Sequence, residues 1–190
     1  IPDGLRVLEI GCGLGDLLAA VKPSRGLGID FSEAMIKAAS RRHPSLQFRA
    51  FDVDALDLHE TFDVIILADV MGHFLDVESV LKRLRSVCTS KTRIVISYYN
   101  FLWEPAVRFA EAYGWKMPQQ EQSWLSPRDI DNLLHLADFE VVKVEQRLLM
   151  PKYIPVVSAI LNRFLAFVPG LNRLCLSHYV VARMRGPRQA

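Results

Sequence analysis

The stretch Val7-Leu-Glu-Ile-Gly-Cys-Gly-Leu-Gly-Asp-Leu17 limits what this chain can fold into more than any other. An apolar run from Leu5 to Ile10 stops at three glycines, Gly11, Gly13 and Gly15, after which Leu17, Leu18 and Val21 recur at helical spacing. A strand must turn tightly into a helix here. Glycine accepts positive φ and lets backbone approach a ligand closely. The helix start then directs unpaired N–H groups and the positive end of its dipole at whatever lies above the turn. Nineteen residues after Gly11, at the end of a second apolar run (Gly26 to Ile29), stands Asp30. An acidic side chain at about that distance takes ribose hydroxyls, so the pattern predicts a ligand that carries a nucleoside.

Charge narrows the choice of nucleoside. A dinucleotide site reads G-x-G-x-x-G and disfavours negative charge near the pyrophosphate, whereas this loop reads G-x-G-x-G and places Asp16 in the first helical turn. Glu9, two residues before the first glycine, is a further carboxylate suited to an ammonium group. S-adenosylmethionine, with a zwitterionic amino acid, a sulfonium and no phosphate, matches these charges.

On this E-x-G-x-G-x-G segment and its distant Asp30, the sequence resembles the class I S-adenosylmethionine-dependent methyltransferases, over residues 5–100 in motif and beyond them in element order. The resemblance implies a Rossmann-like, doubly wound, mostly parallel α/β sheet of about seven strands with an antiparallel edge strand and helices on both faces. It implies that Glu9, Gly11, Cys12, Gly13 and Gly15 surround the methionine part and that Asp30 binds both ribose hydroxyls. Phe31 would lie on the adenine, Asp52 and Val53 would reach its edge, and Ala68 and Asp69 at the fourth strand's mouth would complete the cofactor set.

The chain's 190 residues suit one domain with its own core, and 51% hydrophobic against 23% charged residues excludes a disordered protein. No apolar run reaches the length of a membrane span. Three well-separated cysteines, Cys12, Cys88 and Cys175, argue against a disulfide framework and for a reducing, cytoplasmic address; no zinc-type spacing is present, and no metal is expected. Cys12 reads as a small residue that fits a crowded turn. The net charge of +2 hides an asymmetry: residues 141–190 hold eight Lys/Arg against one acid, and residues 1–140 hold fifteen against twenty. Because the sequence starts at Ile1, directly before the first strand, it reads as a domain excised from a longer chain.

Further elements follow in βαβ order. Ser32 caps a helix with Met35, Ile36 and Ala39 on one face and a stop at His43-Pro44; Leu46 to Phe51 alternates as a strand. Phe62 to Leu67 is the continuous apolar run of a central strand. Asp76 caps the next helix, and Arg93 to Ser97 is the fifth strand. Helices are expected at Trp103 to Tyr113 and Pro127 to Leu136, and strands at Phe139 to Val144 and Cys175 to Met184. Between the last two strands, 151–173 forms an insertion read as a helix over Tyr153 to Leu171, with Val157, Ile160, Leu161, Phe164, Leu165 and Val168 on one apolar face.

Ligands of open α/β sheets bind beyond the carboxyl ends of the strands. The fourth strand is followed by Ala68-Asp-Val-Met-Gly-His-Phe74 and the fifth by Tyr98-Tyr-Asn-Phe-Leu-Trp103. His73 is a candidate general base and Tyr99 a second catalytic candidate, while Tyr98, Asn100 and Trp103 are candidates for the acceptor wall. Methyl transfer from a sulfonium is an in-line displacement that needs mainly alignment, which accounts for the lack of a triad or paired carboxylates. The loop after the fourth strand lacks the N-P-P-Y pattern of enzymes that methylate nucleic-acid bases, so no nucleic-acid partner is expected and a small-molecule or lipid-linked acceptor gains weight. Ser97 to Pro105, Leu148 to Pro155 and Leu161 to Phe164 resemble the methyltransferase domain of bacterial proteins that fuse it to a polyprenyl-phosphate-type glycosyltransferase. That likeness implies a fused partner domain, and the basic, apolar-faced 153–171 segment suggests contact with the anionic inner face of a membrane. Two other readings stay open: a degenerate module that binds cofactor without turnover, and a nicotinamide-dependent oxidoreductase.

Overall fold

The computed structural model describes residues 1–190 except 51–57, 59, 115–122, 149–161, 163–167, 169 and 187–190. Chain order is β1 (Arg6–Ile10), α1 (Asp16–Ala20), β2 (Arg25–Asp30), α2 (Glu33–Arg42), β3 (Gln47–Ala50), β4 (Phe62–Ala68), α3 (Val77–Leu84), β5 (Cys88–Tyr99), α4 (Glu104–Ala112), α5 (Pro127–Leu136), β6 (Phe139–Arg147) and β7 (Ser177–Met184). The seven strands form one sheet in the order β3-β2-β1-β4-β5-β7-β6. Pairings from β3 through β5 are parallel, and β7 runs antiparallel to both β5 and β6. The antiparallel strand expected at the edge belongs to a two-strand edge unit, with β7 inserted between β5 and the outermost β6.

Two apolar layers sandwich the sheet. On one face Leu8, Ile65, Leu67, Ile94 and Ile96 pack against Val80, Leu81 and Leu84 of α3 and Ile130 and Leu134 of α5. On the other, Val7, Val64 and Ile66 pack against Leu18 of α1. Because strand side chains alternate, a central strand buried on both faces must be apolar throughout, and β4 is.

The helix starts read from sequence have their caps. Ser32 Oγ accepts from Met35 N, Asp76 Oδ1 accepts from Ser79 N at 2.9 Å, and Ser126 with Asp129 forms a reciprocal capping box ahead of α5. Strand β5 is much longer than Arg93 to Ser97. Its C-terminal end is held out by β7, where Tyr98 pairs with His178 and Tyr99 with Ser177. At its other end Cys88 pairs with Phe62 across a register shift, and Thr92 Oγ1 donates to Phe62 O at 2.6 Å. The crossing between β1 and β4 opens a crevice at the carboxyl ends of the strands, which is where the glycine turn lies. Among the described residues no helix is long and apolar enough to cross a membrane. The apolar-faced helix expected over 153–171 lies almost wholly outside the described residues.

Candidate active site

The turn between β1 and α1 is built from its backbone upward. Gly11 N and Cys12 N both donate to Ile29 O of the neighbouring strand (2.7 and 3.0 Å), and Gly15 N closes the turn on Cys12 O at 2.8 Å. Gly11, Gly13 and Gly15 all have positive φ. At Gly11 an added Cβ would stand 2.2 Å from Val70 Cγ1, so the turn is pressed against the segment after β4. At Gly13 nothing among the described residues lies within 4 Å of an added Cβ. Cys12 is buried with Sγ over Gly28 of β2, and burial pushes its thiol up to about 12; it fills the turn and is no nucleophile.

Two carboxylates sit beside this turn. Glu9 is only 3% exposed, and its Oε2 has no hydrogen-bond partner among the described residues. Burial raises its pKa to about 7, opposed by the Leu18 hydrogen bond and reinforced by the charge of Asp30. Asp30 accepts one backbone hydrogen bond on each oxygen, Gly13 N to Oδ2 and Ser32 N to Oδ1, both 2.9 Å. Each oxygen keeps acceptor capacity for a further donor, as the ribose assignment requires. The adjoining Phe31 is 79% exposed, an unusual state for a phenylalanine and one that suits a platform for a planar base. Asp52 and Val53 lie outside the described residues.

Asp16 acts differently from its sequence-based role as a repellent of phosphate. Its Oδ1 is engaged by Arg42 Nε and His43 Nε2, each at 2.9 Å, which compensates its charge and ties α1 to the end of α2.

A shallow pocket opens beside the mouths of β4 and β5. Asp69, Met71 and Gly72 form one side and Tyr98 and Tyr99 another. Ser123, Trp124 and Leu125 close a third, anchored by Ser123 N donating to Gly72 O at 2.8 Å. Asp69 holds a left-handed conformation (φ 57) that few non-glycine residues adopt; its N donates to Ser97 O and its Oδ1 accepts from Ser97 Oγ at 2.8 Å. Tyr99 is pushed above its ordinary pKa by burial and by the charges of Asp69 and Tyr179.

Three sequence-predicted residues stand elsewhere. His73 ends a short 3-10 turn (Met71–His73), is exposed and does not line the cavity. Asn100 is buried, and its amide is spent on Arg173 O (2.8 Å), Cys175 O (2.9 Å) and Leu102 N (3.1 Å). Trp103 Nε1 donates to Leu174 O at 2.8 Å. Asn100 and Trp103 clamp the segment before β7 onto the end of β5, and neither is among the residues that line the pocket. Asn100→Ala is therefore expected to cost about 2 kcal/mol of stability in urea unfolding, because buried partners are left unpaired. Cofactor affinity should be unchanged, whereas a pocket role would show the reverse. Sequence reasoning missed Met71 and Leu125 as lining, and missed His178, which stacks edge-on against Tyr98.

An open, mostly parallel sheet with a glycine turn, a buried Glu and an Asp held by that turn beside the switch in strand order is an α/β arrangement of the Rossmann-like type. A family model described as "Methyltransferase domain" matches residues 1–144, and the chain belongs to that family of S-adenosylmethionine-dependent class I enzymes. It is 30% identical over 155 residues to the ubiquinone biosynthesis O-methyltransferase of Bradyrhizobium diazoefficiens, an alignment covering 75% of this chain and 60% of that protein. The chain thus spans about three fifths of the length of that curated relative. An S-adenosylmethionine-dependent methyltransferase from Mesorhizobium loti has the same fold, with a TM-score of 0.71 at 20% identity over 95% of this chain and 91% of its own. Magnesium protoporphyrin IX methyltransferase from Synechocystis, solved with S-adenosylhomocysteine, gives 0.64 at 20% identity over 96% and 75%.

Proposed function

We propose that this chain transfers a methyl group to a hydroxyl of a small or lipid-linked acceptor, and that Glu9, Gly11, Cys12, Gly13, Gly15, Asp30 and Phe31, with Asp52, Val53, Ala68 and Asp69, hold S-adenosylmethionine. The observation that carries the reading is the buried, partnerless Oε2 of Glu9 beside the glycine turn, with Asp30 poised on the turn's own N–H. A dinucleotide would leave that carboxyl oxygen unanswered; an ammonium satisfies it. S-adenosylmethionine supplies, when bound, a methyl group on a sulfonium leaving centre. The chain's part is alignment and exclusion of water. Aromatic walls at Tyr98, Tyr99 and Trp124 favour a flat acceptor, and Asp69, fixed by Ser97, presents a carboxylate to the acceptor's hydroxyl proton. Tyr99, held protonated by burial, donates a hydrogen bond and is no base. Oxygen as the accepting atom rests on the names of the relatives. The finer placement, a cytoplasmic enzyme at the inner face of a membrane beside a fused glycosyltransferase domain, rests on the basic 141–190 segment and the likeness of its sequence.

The test is methyl transfer itself. Incubation with methyl-tritiated S-adenosylmethionine and a bacterial small-molecule extract should place label in organic-extractable product, and Asp69→Asn should slow it by about 10²-fold. Cofactor binding without any labelled product would favour the regulatory module, and a thermal upshift with a nicotinamide dinucleotide but none with S-adenosylmethionine would favour the oxidoreductase.

A further inference from the structure

The glycine turn is gripped at both ends. At Gly11 it is pressed against Val70, and at Gly15 it meets two side chains from the β3 edge of the sheet, Phe48 of β3 and His43 at the end of α2. A Cβ added at Gly15 would stand 2.5 Å from Phe48 Cζ and 3.3 Å from His43 Cδ2. The same Phe48 ring covers Gly28 of β2, its partner in the parallel ladder, where an added Cβ would stand 2.6 Å from Cδ1. Gly28 lies on the strand that ends at Asp30. One ring therefore touches both the turn and the strand that carries Asp30, and its width sets the gap between them.

His43 acts one residue further along the turn. Its Nε2 meets Asp16 Oδ1 at 2.9 Å, and because a carboxylate only accepts, that nitrogen carries the proton. Arg42 Nε approaches the same oxygen at 2.9 Å. Two donors from adjacent residues fix one carboxylate oxygen in place. The start of α1 has no side-chain cap of its own, so this grip from the end of α2 is what locates it. Stability alone is a poor reason for the arrangement. The Asp16 and Arg42 side chains are 54% and 58% exposed, and ion pairs so open to water contribute little to folding. Position is the better reason. Gly15 N closes the turn on Cys12 O at 2.8 Å, and Gly13 N donates to Asp30 Oδ2 at 2.9 Å. A shift at Gly15 or Asp16 passes along this short run of bonds to the backbone assigned above to the cofactor.

We propose that Phe48 and His43 are positioning residues of the methyl-transfer site: Phe48 gauges the distance between the turn and the Asp30 strand, and His43 locks the start of α1 to that gauge through Asp16. The proposal rests on the assignment of the glycine turn and Asp30 to S-adenosylmethionine and deepens it, by naming side chains that act through those groups and not on the ligand. Alignment is the chain's main contribution to this reaction, and a displacement of about 1 Å can cost about 10²-fold in rate.

Calorimetric titration of S-adenosylmethionine into the full chain at pH 7.5 tests this on four variants. His43→Ala and Phe48→Leu should each bind about tenfold more weakly than wild type, the effect of one hydrogen bond to a charged group put out of place. His43→Gln, whose amide still donates to Asp16, should bind within about twofold of wild type. Thr92→Val is the control for stability: it loses the hydrogen bond from Oγ1 to Phe62 O at the other end of β5, so it should melt lower and bind as wild type does. Should Phe48→Leu fail to fold, the two His43 variants decide. Wild-type affinity in His43→Ala or in folded Phe48→Leu overturns the proposal, as does His43→Gln binding no tighter than His43→Ala. A loss of affinity in Thr92→Val overturns it too, since binding would then merely follow overall stability. Wild-type affinity in Asp30→Ala would instead overturn the site assignment beneath the proposal, and the proposal with it.

Discussion

Gly11→Ala should destabilise the fold by about 3 kcal/mol and abolish measurable cofactor binding. Two costs combine. An L side chain in the left-handed region costs about 1–2 kcal/mol, and Gly11 has φ 72. The new Cβ would also stand 2.2 Å from Val70 Cγ1, which forces Val70 to move at a cost of about 1–3 kcal/mol. Val70 packs against the core and leads directly into Met71 and Gly72, so the cavity shifts with the turn. Gly13→Ala separates the two costs, because it meets strain (φ 51) but no neighbour among the described residues. It should lose only about 1 kcal/mol of stability. Its Cβ enters the space proposed for the ligand, so its binding should fall as far as in Gly11→Ala. Urea unfolding and S-adenosylmethionine titration on both variants check this, and equal stability losses would show that the crowding at Val70 has been misread.

The second large effect is a pH dependence carried by Glu9. Burial sets its folded-state pKa at about 7 against an ordinary 4.5. A folded value above the unfolded one means that the contribution to stability is full below about pH 4.5 and drains away as pH rises through 7. The gap between the two values corresponds to about 3 kcal/mol. The ligand-free protein should therefore lose about 3 kcal/mol between pH 4.5 and pH 8.5 relative to Glu9→Gln, which cannot ionise. If an ammonium pairs with Oε2, the bound form favours the carboxylate. Affinity for S-adenosylmethionine should then climb as pH rises from 5.5 to 7.5 in wild type and stay flat in Glu9→Gln. Parallel stability profiles for the two proteins would remove Glu9 from the account.

Much of this molecule was legible because the features concerned are local. The glycine turn, the caps at Ser32 and Asp76, and the apolar run of β4 each announce an element within a few residues of sequence. The position of Asp30 beside the turn was legible because a strand, a turn and a helix fix its distance from the glycines. What failed was long-range. Asn100 and Trp103 read as polar and aromatic groups at a strand mouth, but their partners lie 71–75 residues further along the chain, and no local pattern shows that both are consumed there. His73 follows β4 as a catalytic base might, yet a single 3-10 turn carries it out of the cavity. Asp16 was read by its sign alone, although the end of α2 neutralises it. His178 left a signal that went unused: it shares the parity of Val180 and Ala182 on β7, so a polar residue had to be on the buried face.

The measurement that bears most directly on the central claim is calorimetric titration of S-adenosylmethionine into wild type and Asp30→Ala at pH 7.5. Asp30 accepts one backbone hydrogen bond on each oxygen and keeps capacity for two hydroxyl donors. The account predicts one site per chain in wild type and a loss of about 1.5–3 kcal/mol in the variant, the range for hydrogen bonds to a charged group. Equal affinity in the two proteins, or no binding to wild type, would contradict it.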